Sequence, residues 1–265
     1  MLYFVGTPIG NLDDMTFRAV ETLKSVDEIA CEDTRHSLGL LNRYGIKKPL
    51  FSYHKFNERE CGEKIIEKLK SGKNIALITD AGMPVISDPG NILTEMLERE
   101  GLEYTAVPGA TALITALVLS GFPADKFCFL GFLPEKTEKR KEFLEKYKDF
   151  DGTLVFYSAP HDIVKDVQSL CSVFGNRSAC AVREITKIYE EKIKFNLEDG
   201  YKGEERGEFV LIVEGKKEED FDATPPKELL DRLLSEGMDK KEAIKKVAKL
   251  KGVNKNEIYK LTVKE

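Results

Sequence analysis

Several clusters of chemistry-bearing residues directly follow short apolar runs, which is where ligands bind in open α/β sheets. The first is Gly6-Thr7-Pro8-Ile9-Gly10-Asn11, rich in turn residues but neither a Walker loop nor a dinucleotide fingerprint. Another is Thr79-Asp80-Ala81-Gly82-Met83-Pro84, continuing through Val85-Ile86-Ser87-Asp88-Pro89-Gly90. A carboxylate followed by small residues and prolines makes a rigid loop that admits a ligand close to the backbone. This loop has no Lys or Arg and no phosphate-cradling Gly-Lys pair, so a cationic or zwitterionic ligand suits it better than a nucleoside polyphosphate. S-adenosylmethionine, with its sulfonium, ammonium and carboxylate, is such a ligand. Alternatively, the loop is held together by its own Asp side chains.

Pro108-Gly109-Ala110-Thr111-Ala112 opens a helix with small residues, leaving free N–H groups for a carboxylate or an adenine edge. In the second half, Phe156-Tyr157-Ser158-Ala159-Pro160-His161, Arg183-Glu184-Ile185-Thr186-Lys187 and Arg206-Gly207-Glu208-Phe209 add stacking and charged groups. Glu184 and Lys187, three apart at a strand end, are a base with a charge stabiliser or simply an ion pair.

The elements that must carry these loops alternate. Strands are expected at Leu2–Val5, Glu28–Cys31, Asn74–Thr79 and Tyr104–Val107, with helices at Thr16–Ser25, Glu63–Leu69 and Ile92–Arg99. The order βαβα predicts a mostly parallel sheet covered by helices. The pattern restarts with strands at Phe127–Leu130, Thr153–Tyr157, Ala179–Arg183 and Glu208–Glu214, and helices at Lys136–Lys148 and Asp162–Phe174. Domains are expected at residues 1–116, 117–222 and 223–265. In the last, Asp239 and Asn254 are placed to cap two short helices around Gly252, resembling a helix-turn-helix.

Composition narrows the classes. The 265 residues carry 41 Lys+Arg and 46 Asp+Glu, a net charge of −5, which excludes a wholly basic nucleic-acid coat protein. Residues 238–265 nevertheless hold nine Lys against four Asp+Glu, a local net of +5. That tail is a nucleic-acid contact or a helical cap with solvated lysines. Five scattered cysteines and three dispersed histidines argue against a disulfide framework or a metal site. The uncharged window Tyr104–Ala124 is broken by Pro108-Gly109 and Gly121-Phe122-Pro123, so its apolar part suits a buried helix, and no secretory signal opens the chain. A cytoplasmic protein without membrane partners is expected.

In this order, Gly6-Thr7-Pro8-Ile9-Gly10-Asn11-Leu12, Cys31-Glu32-Asp33-Thr34-Arg35-His36, the Asp80 loop, Pro108-Gly109 and Arg183-Glu184-Ile185-Thr186-Lys187 closely resemble the ribosomal RNA small-subunit methyltransferase I group of the tetrapyrrole methylase superfamily. The likeness spans nearly the whole chain. It implies a two-domain tetrapyrrole methylase-like α/β fold with mixed, largely parallel sheets and a small C-terminal helical domain. It also implies a homodimer, S-adenosylmethionine as cofactor, no metal, and 2′-O-methylation of a cytidine in small-subunit ribosomal RNA, with the assembled 30S particle as a plausible substrate. The cofactor residues it implies are Pro8, Asp80, Gly82, Met83, Val85, Ile86, Thr111, Ala112, Tyr157, Glu184 and Phe209. Met83 departs from the Thr common in that group, and Ser158 and Asp162 depart from its Glu and Arg.

Lys187 or Arg35 is expected to stabilise the developing alkoxide, with Glu184 or Glu32 orienting or accepting the proton. The competing readings are a methyltransferase acting on a tetrapyrrole and a non-catalytic RNA-binding module.

Overall fold

The computed structural model describes residues 1–217, 224–235 and 237–261. Residues Met1–Gly215 form one compact unit and Lys216–Glu265 a second. The first unit holds two five-stranded sheets.

The first sheet comprises β1 (Leu2–Val5), β2 (Glu28–Cys31), β3 (Leu50–Ser52), β4 (Ile75–Ile78) and β5 (Tyr104–Val107). Its order is β3-β2-β4-β1-β5, and every pairing is parallel. The central strands β1, β2 and β4 are short and mostly apolar because both faces of the sheet are covered there. Leu2, Phe4, Ile75 and Leu77 pack with Ile65 and Leu69 of α3 (Glu58–Lys70) and Leu93 and Leu97 of α4 (Asn91–Glu100). The alternate residues Val5, Ala76 and Ile78 pack with Ala19 and Leu23 of α1 (Phe17–Ser25) and Leu41 of α2 (Thr34–Arg43). This is the two-residue period of a strand. β3 and α2 are absent from the sequence reading, which took the start of α2 for a polar string.

Helix α5 (Ala112–Ser120) follows β5 but buries Leu113, Ala116 and Leu117 against the second sheet, on Val155, Cys180, Val182, Val210 and Ile212. The boundary expected after residue 116 therefore falls inside a helix. The second sheet contains β6 (Phe127–Phe132), β7 (Thr153–Ser158), β8 (Ser178–Arg183), β9 (Glu191–Asn196) and β10 (Phe209–Val213). Its order is β6-β7-β10-β8-β9. Only β6 and β7 run parallel; the other three pairings are antiparallel. The mixed character comes from this sheet. β9 was missed because its alternating charged and apolar residues lie on a sheet edge. Helices α6 (Thr137–Glu145) and α7 (Ile163–Phe174) cover the face opposite α5.

In the second unit, α8 (Pro226–Ser235), α9 (Lys240–Lys251) and α10 (Lys255–Lys260) enclose Leu229, Leu230, Leu233, Ile244, Val247 and Ile258. The Asp239 side chain accepts from the backbone N–H of Lys241 at 2.9 Å and of Glu242 at 3.4 Å, and Asn254 accepts from Asn256 N–H at 3.0 Å. Both caps stand where the sequence reading put them. No helix among the described residues is long and apolar enough to cross a membrane.

Because β1 lies between β4 and β5, the loops that leave all three strands converge. Gly6 and Gly109 touch backbone to backbone: a Cβ on Gly109 would lie 2.9 Å from Gly6 Cα. Gly109→Ala forces main chain apart, so it should destabilise the fold by about 1–3 kcal/mol, roughly 3–10 °C in Tm. A thermal melt superimposing on the parent's contradicts this packing.

Candidate active site

The loop after β1 is stitched to the loops around it. Thr7 and Gly82 exchange backbone hydrogen bonds, with Thr7 N–H donating at 2.9 Å and Gly82 N–H at 3.2 Å. The Thr7 hydroxyl donates to the carbonyls of Thr79 at 3.1 Å and Gly82 at 3.3 Å. Farther along, Asn11 N–H donates to the Thr186 hydroxyl at 3.0 Å. Gly10 leaves no room for a Cβ, which would lie 2.6 Å from Lys187 Cγ. One loop thus ties the strand ends of the first sheet to the loop after β8.

Two adjoining cavities open along this seam. One, of about 380 Å³, lies within the size range of small-molecule sites. Its walls include Ile9, Ile86, Leu113, Phe132, Ile185 and Val210. Seven of the expected cofactor residues line it: Gly82, Met83, Ile86, Thr111, Ala112, Tyr157 and Phe209. Among the described residues no Lys or Arg does, whereas Asp88 and Glu208 do. Thr111 N-caps α5 without a side-chain bond, so the first N–H groups of that helix lie at the cavity wall. Val85 lines neither cavity; it packs on the core of the first sheet. Both Val85 (φ 78°) and Ser87 (φ 65°) hold left-handed backbone, a costly conformation that clusters at functional loops.

Asp88 escaped the sequence selection, although it closes the same turn-rich loop as Asp80. Burial, with the negative charges of Glu32 and Asp80 beside it, pushes its carboxyl up to about 7. Burial and the Asp88 charge likewise raise the Tyr157 hydroxyl, against the pull of the Leu113 backbone N–H.

The second cavity, of about 450 Å³, is lined by Pro8, Gly10, His36, Thr79, Asp80 and Lys187 among others. The Thr79 hydroxyl is buried at this wall with no hydrogen-bond partner among the described residues. An orphaned buried hydroxyl costs about 1–3 kcal/mol, a cost that a polar ligand offsets. Ile9, Ala81 and Glu208 line both cavities.

The expected catalytic residues fare differently. Lys187 lines the second cavity and bridges Glu184 Oε1 at 2.9 Å and Glu208 Oε2 at 2.8 Å. Its ammonium is raised: burial opposes the charge, but Glu208 and Glu184 outweigh it. Glu184 lines neither cavity. Burial opposes its charge, yet Lys187 and the Glu208 N–H hold its carboxyl below the ordinary value. Arg35 lies outside both cavities, its side chain 88% exposed and paired with Asp33 at 3.0 Å. Glu32 is half-buried and lines neither cavity, its carboxyl raised by burial and by the Asp80 charge.

Ser158 and Asp162 join a buried network. Arg140, 2% exposed, donates to Asp166 at 2.5 Å and to the Pro134 carbonyl at 2.6 Å, and it pairs with Asp162 at 3.5 Å. The Ser158 hydroxyl donates to Asp166 at 2.6 Å. Ser158 lines the first cavity, whereas Asp162 lies outside both. Phe132 is a cavity residue outside the clusters selected from the sequence, whereas Ile185, His36 and Glu208 lie within those clusters without an assigned role; the one usable signal was their position at or beside strand ends.

The family model for Tetrapyrrole (Corrin/Porphyrin) Methylases matches residues 1–199. The Ribosomal RNA small subunit methyltransferase I of Bacillus subtilis is 45% identical, covering 98% of this chain and 92% of its own length. The chain belongs to the ribosomal RNA small subunit methyltransferase I family. Another member of that family, from Thermotoga maritima, is 41% identical and is matched over 99% of its length by 82% of this chain. The fold is also that of a solved uroporphyrin-III C-methyltransferase from Thermus thermophilus, complexed with S-adenosyl homocysteine. That match has a TM-score of 0.57 and 18% identity, over 80% of this chain and 96% of the other. Among the described residues no group of His, Cys, Asp and Glu is arranged to hold a metal ion.

Burial and the charges of Glu32 and Asp80 hold the Asp88 carboxyl up at about 7 in the fold, well above the ordinary aspartate range. The folded state therefore holds an extra proton in that interval, so this group's contribution to stability falls as pH rises from about 4 to about 7. Asp88→Asn removes that loss. The variant's Tm gain over the parent should be several degrees larger at about pH 8 than at about pH 4. An equal difference at both pH values contradicts the assignment.

Proposed function

We propose that the chain is an S-adenosylmethionine-dependent methyltransferase that modifies small-subunit ribosomal RNA, transferring the methyl group to the 2′-oxygen of a cytidine ribose. The observation that carries this reading is the pair of cavities. Among the described residues no Lys or Arg lines the first, whereas Lys187, Asp80, His36 and the unpartnered Thr79 hydroxyl line the second; they meet at Ile9, Ala81 and Glu208. S-adenosylmethionine, when bound, supplies a methyl group already activated on a sulfonium.

The residues present fit that cofactor. Tyr157, Met83 and Phe209 offer apolar surface to an adenine, and the first turn of α5 offers N–H groups to its edge or to a carboxylate. Asp88 and Glu208 suit cationic centres. The chain must then align a ribose hydroxyl and exclude water. Lys187 stands in the acceptor cavity to stabilise negative charge growing on that oxygen.

RNA affinity rests mostly on phosphate contacts. Lys240, Lys241, Lys245, Lys246 and Lys249 of α9, with Lys255 and Lys260 of α10, are exposed around a compact apolar core and supply them. The family model's match to residues 1–199, all within the larger unit, supports a transfer chemistry that resides there. An assembled 30S particle suits a tail that reads RNA by charge and shape. The homodimer fits exposed Ile114 and Val118 on α5, and the substrate implies a cytoplasmic enzyme.

Incubating the protein with labelled S-adenosylmethionine and either small-subunit particles or a porphyrinoid tests the reading. Label in a cytidine 2′-O-methyl group is expected; label in the porphyrinoid alone refutes it. Lys187→Ala should slow transfer at least 100-fold, on the scale of losing one charge stabiliser, and change S-adenosylhomocysteine affinity less than about twofold. Near-normal turnover removes Lys187 from the chemistry. Deleting residues 224–265 should weaken RNA binding about tenfold or more and flatten its salt dependence, with cofactor affinity kept. Unchanged RNA affinity and salt slope assign the tail another role.

A further inference from the structure

Among the described residues, the seam between the two cavities carries one ionisable residue. Of the residues lining both, Ile9 and Ala81 are apolar, and Glu208 is the carboxylate. If donor and acceptor occupy adjoining cavities, the methyl group crosses at this seam. Asp80, His36 and Lys187 line only the acceptor side, and Asp88 only the donor side.

Glu184, the more obvious carboxylate by sequence, is committed elsewhere. Its Oε1 accepts from Lys187 Nζ at 2.9 Å and from the Glu208 backbone N–H at 3.0 Å. Its own backbone N–H donates to the Glu208 carbonyl at 3.0 Å. Its backbone is left-handed, φ 51°, and its side chain is 17% exposed. A carboxylate held by these donors, away from both cavities, has little capacity to take a proton. The Glu208 side chain is 76% exposed and meets Lys187 through Oε2 at 2.8 Å. It has a path to return a proton to water after each turnover.

Resting on the methyl-transfer reading above, we propose that Glu208 is the catalytic base and that Glu184 is a positioning residue, holding Lys187 and the Glu208 backbone at the seam. Glu208 takes the hydroxyl proton as the ribose oxygen forms its bond to the methyl carbon. The methyl–sulfur bond breaks with its electron pair left on sulfur. A carboxylate and a sulfonium give a carboxylic acid and a neutral thioether, so charge and atoms balance. Lys187, bonded to Glu208, faces the same oxygen and stabilises the charge that appears if bond formation lags behind proton transfer.

The test compares Glu208→Gln with Glu184→Gln, His36→Gln and the neighbouring surface variant Glu205→Gln. Each is assayed by single turnover on small-subunit particles, by calorimetry with S-adenosylhomocysteine and by carboxyl-carbon NMR. If the parent transfers no methyl group to RNA, the underlying reading fails. If it does, Glu208→Gln should lower the single-turnover rate about 100-fold or more, with S-adenosylhomocysteine affinity within about twofold. It should also abolish the fall in rate at acid pH. Glu184→Gln should slow the reaction yet keep that acid limb, and Glu205→Gln should match the parent. Independently of turnover, the Glu208 carboxyl resonance should move on S-adenosylhomocysteine binding while that of Glu205 does not. A Glu208→Gln rate within about threefold of the parent, an acid limb that vanishes in His36→Gln instead, or a Glu208 resonance indifferent to the ligand overturns the proposal.

Discussion

The approach of Gly6 to Gly109 leaves no space for a side chain on either residue, and the geometry of the site depends on that contact. β1 sits between β4 and β5, so the loops leaving these strands must share one patch above the sheet. Backbone contact between two of them lets the third, with Asp80 to Asp88, close over the first through the Thr7–Gly82 bridge. The same first loop continues to Gly10 and Asn11, which dock on Lys187 and Thr186. A single short segment therefore couples the wall formed by the Asp80–Asp88 loop to the loop that carries Glu184 and Lys187.

The electrostatics follow from that placement. Asp80, Asp88 and Glu32 crowd the first sheet's side, so burial and mutual repulsion keep Asp88 from ionising readily. Across the seam, Lys187 is balanced by Glu184 and Glu208. The left-handed backbones of Val85, Ser87, Glu184 and Thr186 fall in these two loops and nowhere else among the described non-glycine residues. Conformational cost is concentrated where side chains must be aimed. A cavity with carboxylates but no cation at its wall suits a positively charged donor, and a neighbouring cavity with a lysine suits an acceptor oxygen that gains negative charge.

Much of this was legible in the sequence because strand-end loops announce themselves: a short apolar run, then glycine, proline and a polar residue. The caps Asp239 and Asn254 were equally plain, since each is a short side chain before a helical pattern. The rest depends on tertiary pairing. α5 is apolar all round, and nothing local says that it packs on Val182 and Val210 rather than on its own sheet. Glu208 reaches the seam because β10 runs antiparallel between β7 and β8, which sets the start of β10 beside the loop after β8. No spacing rule links Glu208 to Pro8 or Asp80. Arg35 drew attention as a cation in a polar string, yet as an exposed residue in the first turn of α2 it pairs with Asp33.

The central claim is that the apolar cavity holds the donor with its reactive carbon toward the seam. A crystal structure of the protein with S-adenosylhomocysteine tests it most directly. The account predicts the thioether sulfur beside Ile9, Ala81 and Glu208, facing the cavity that contains Lys187. A ligand bound elsewhere, or one whose sulfur faces closed protein on the far side of Met83, contradicts it.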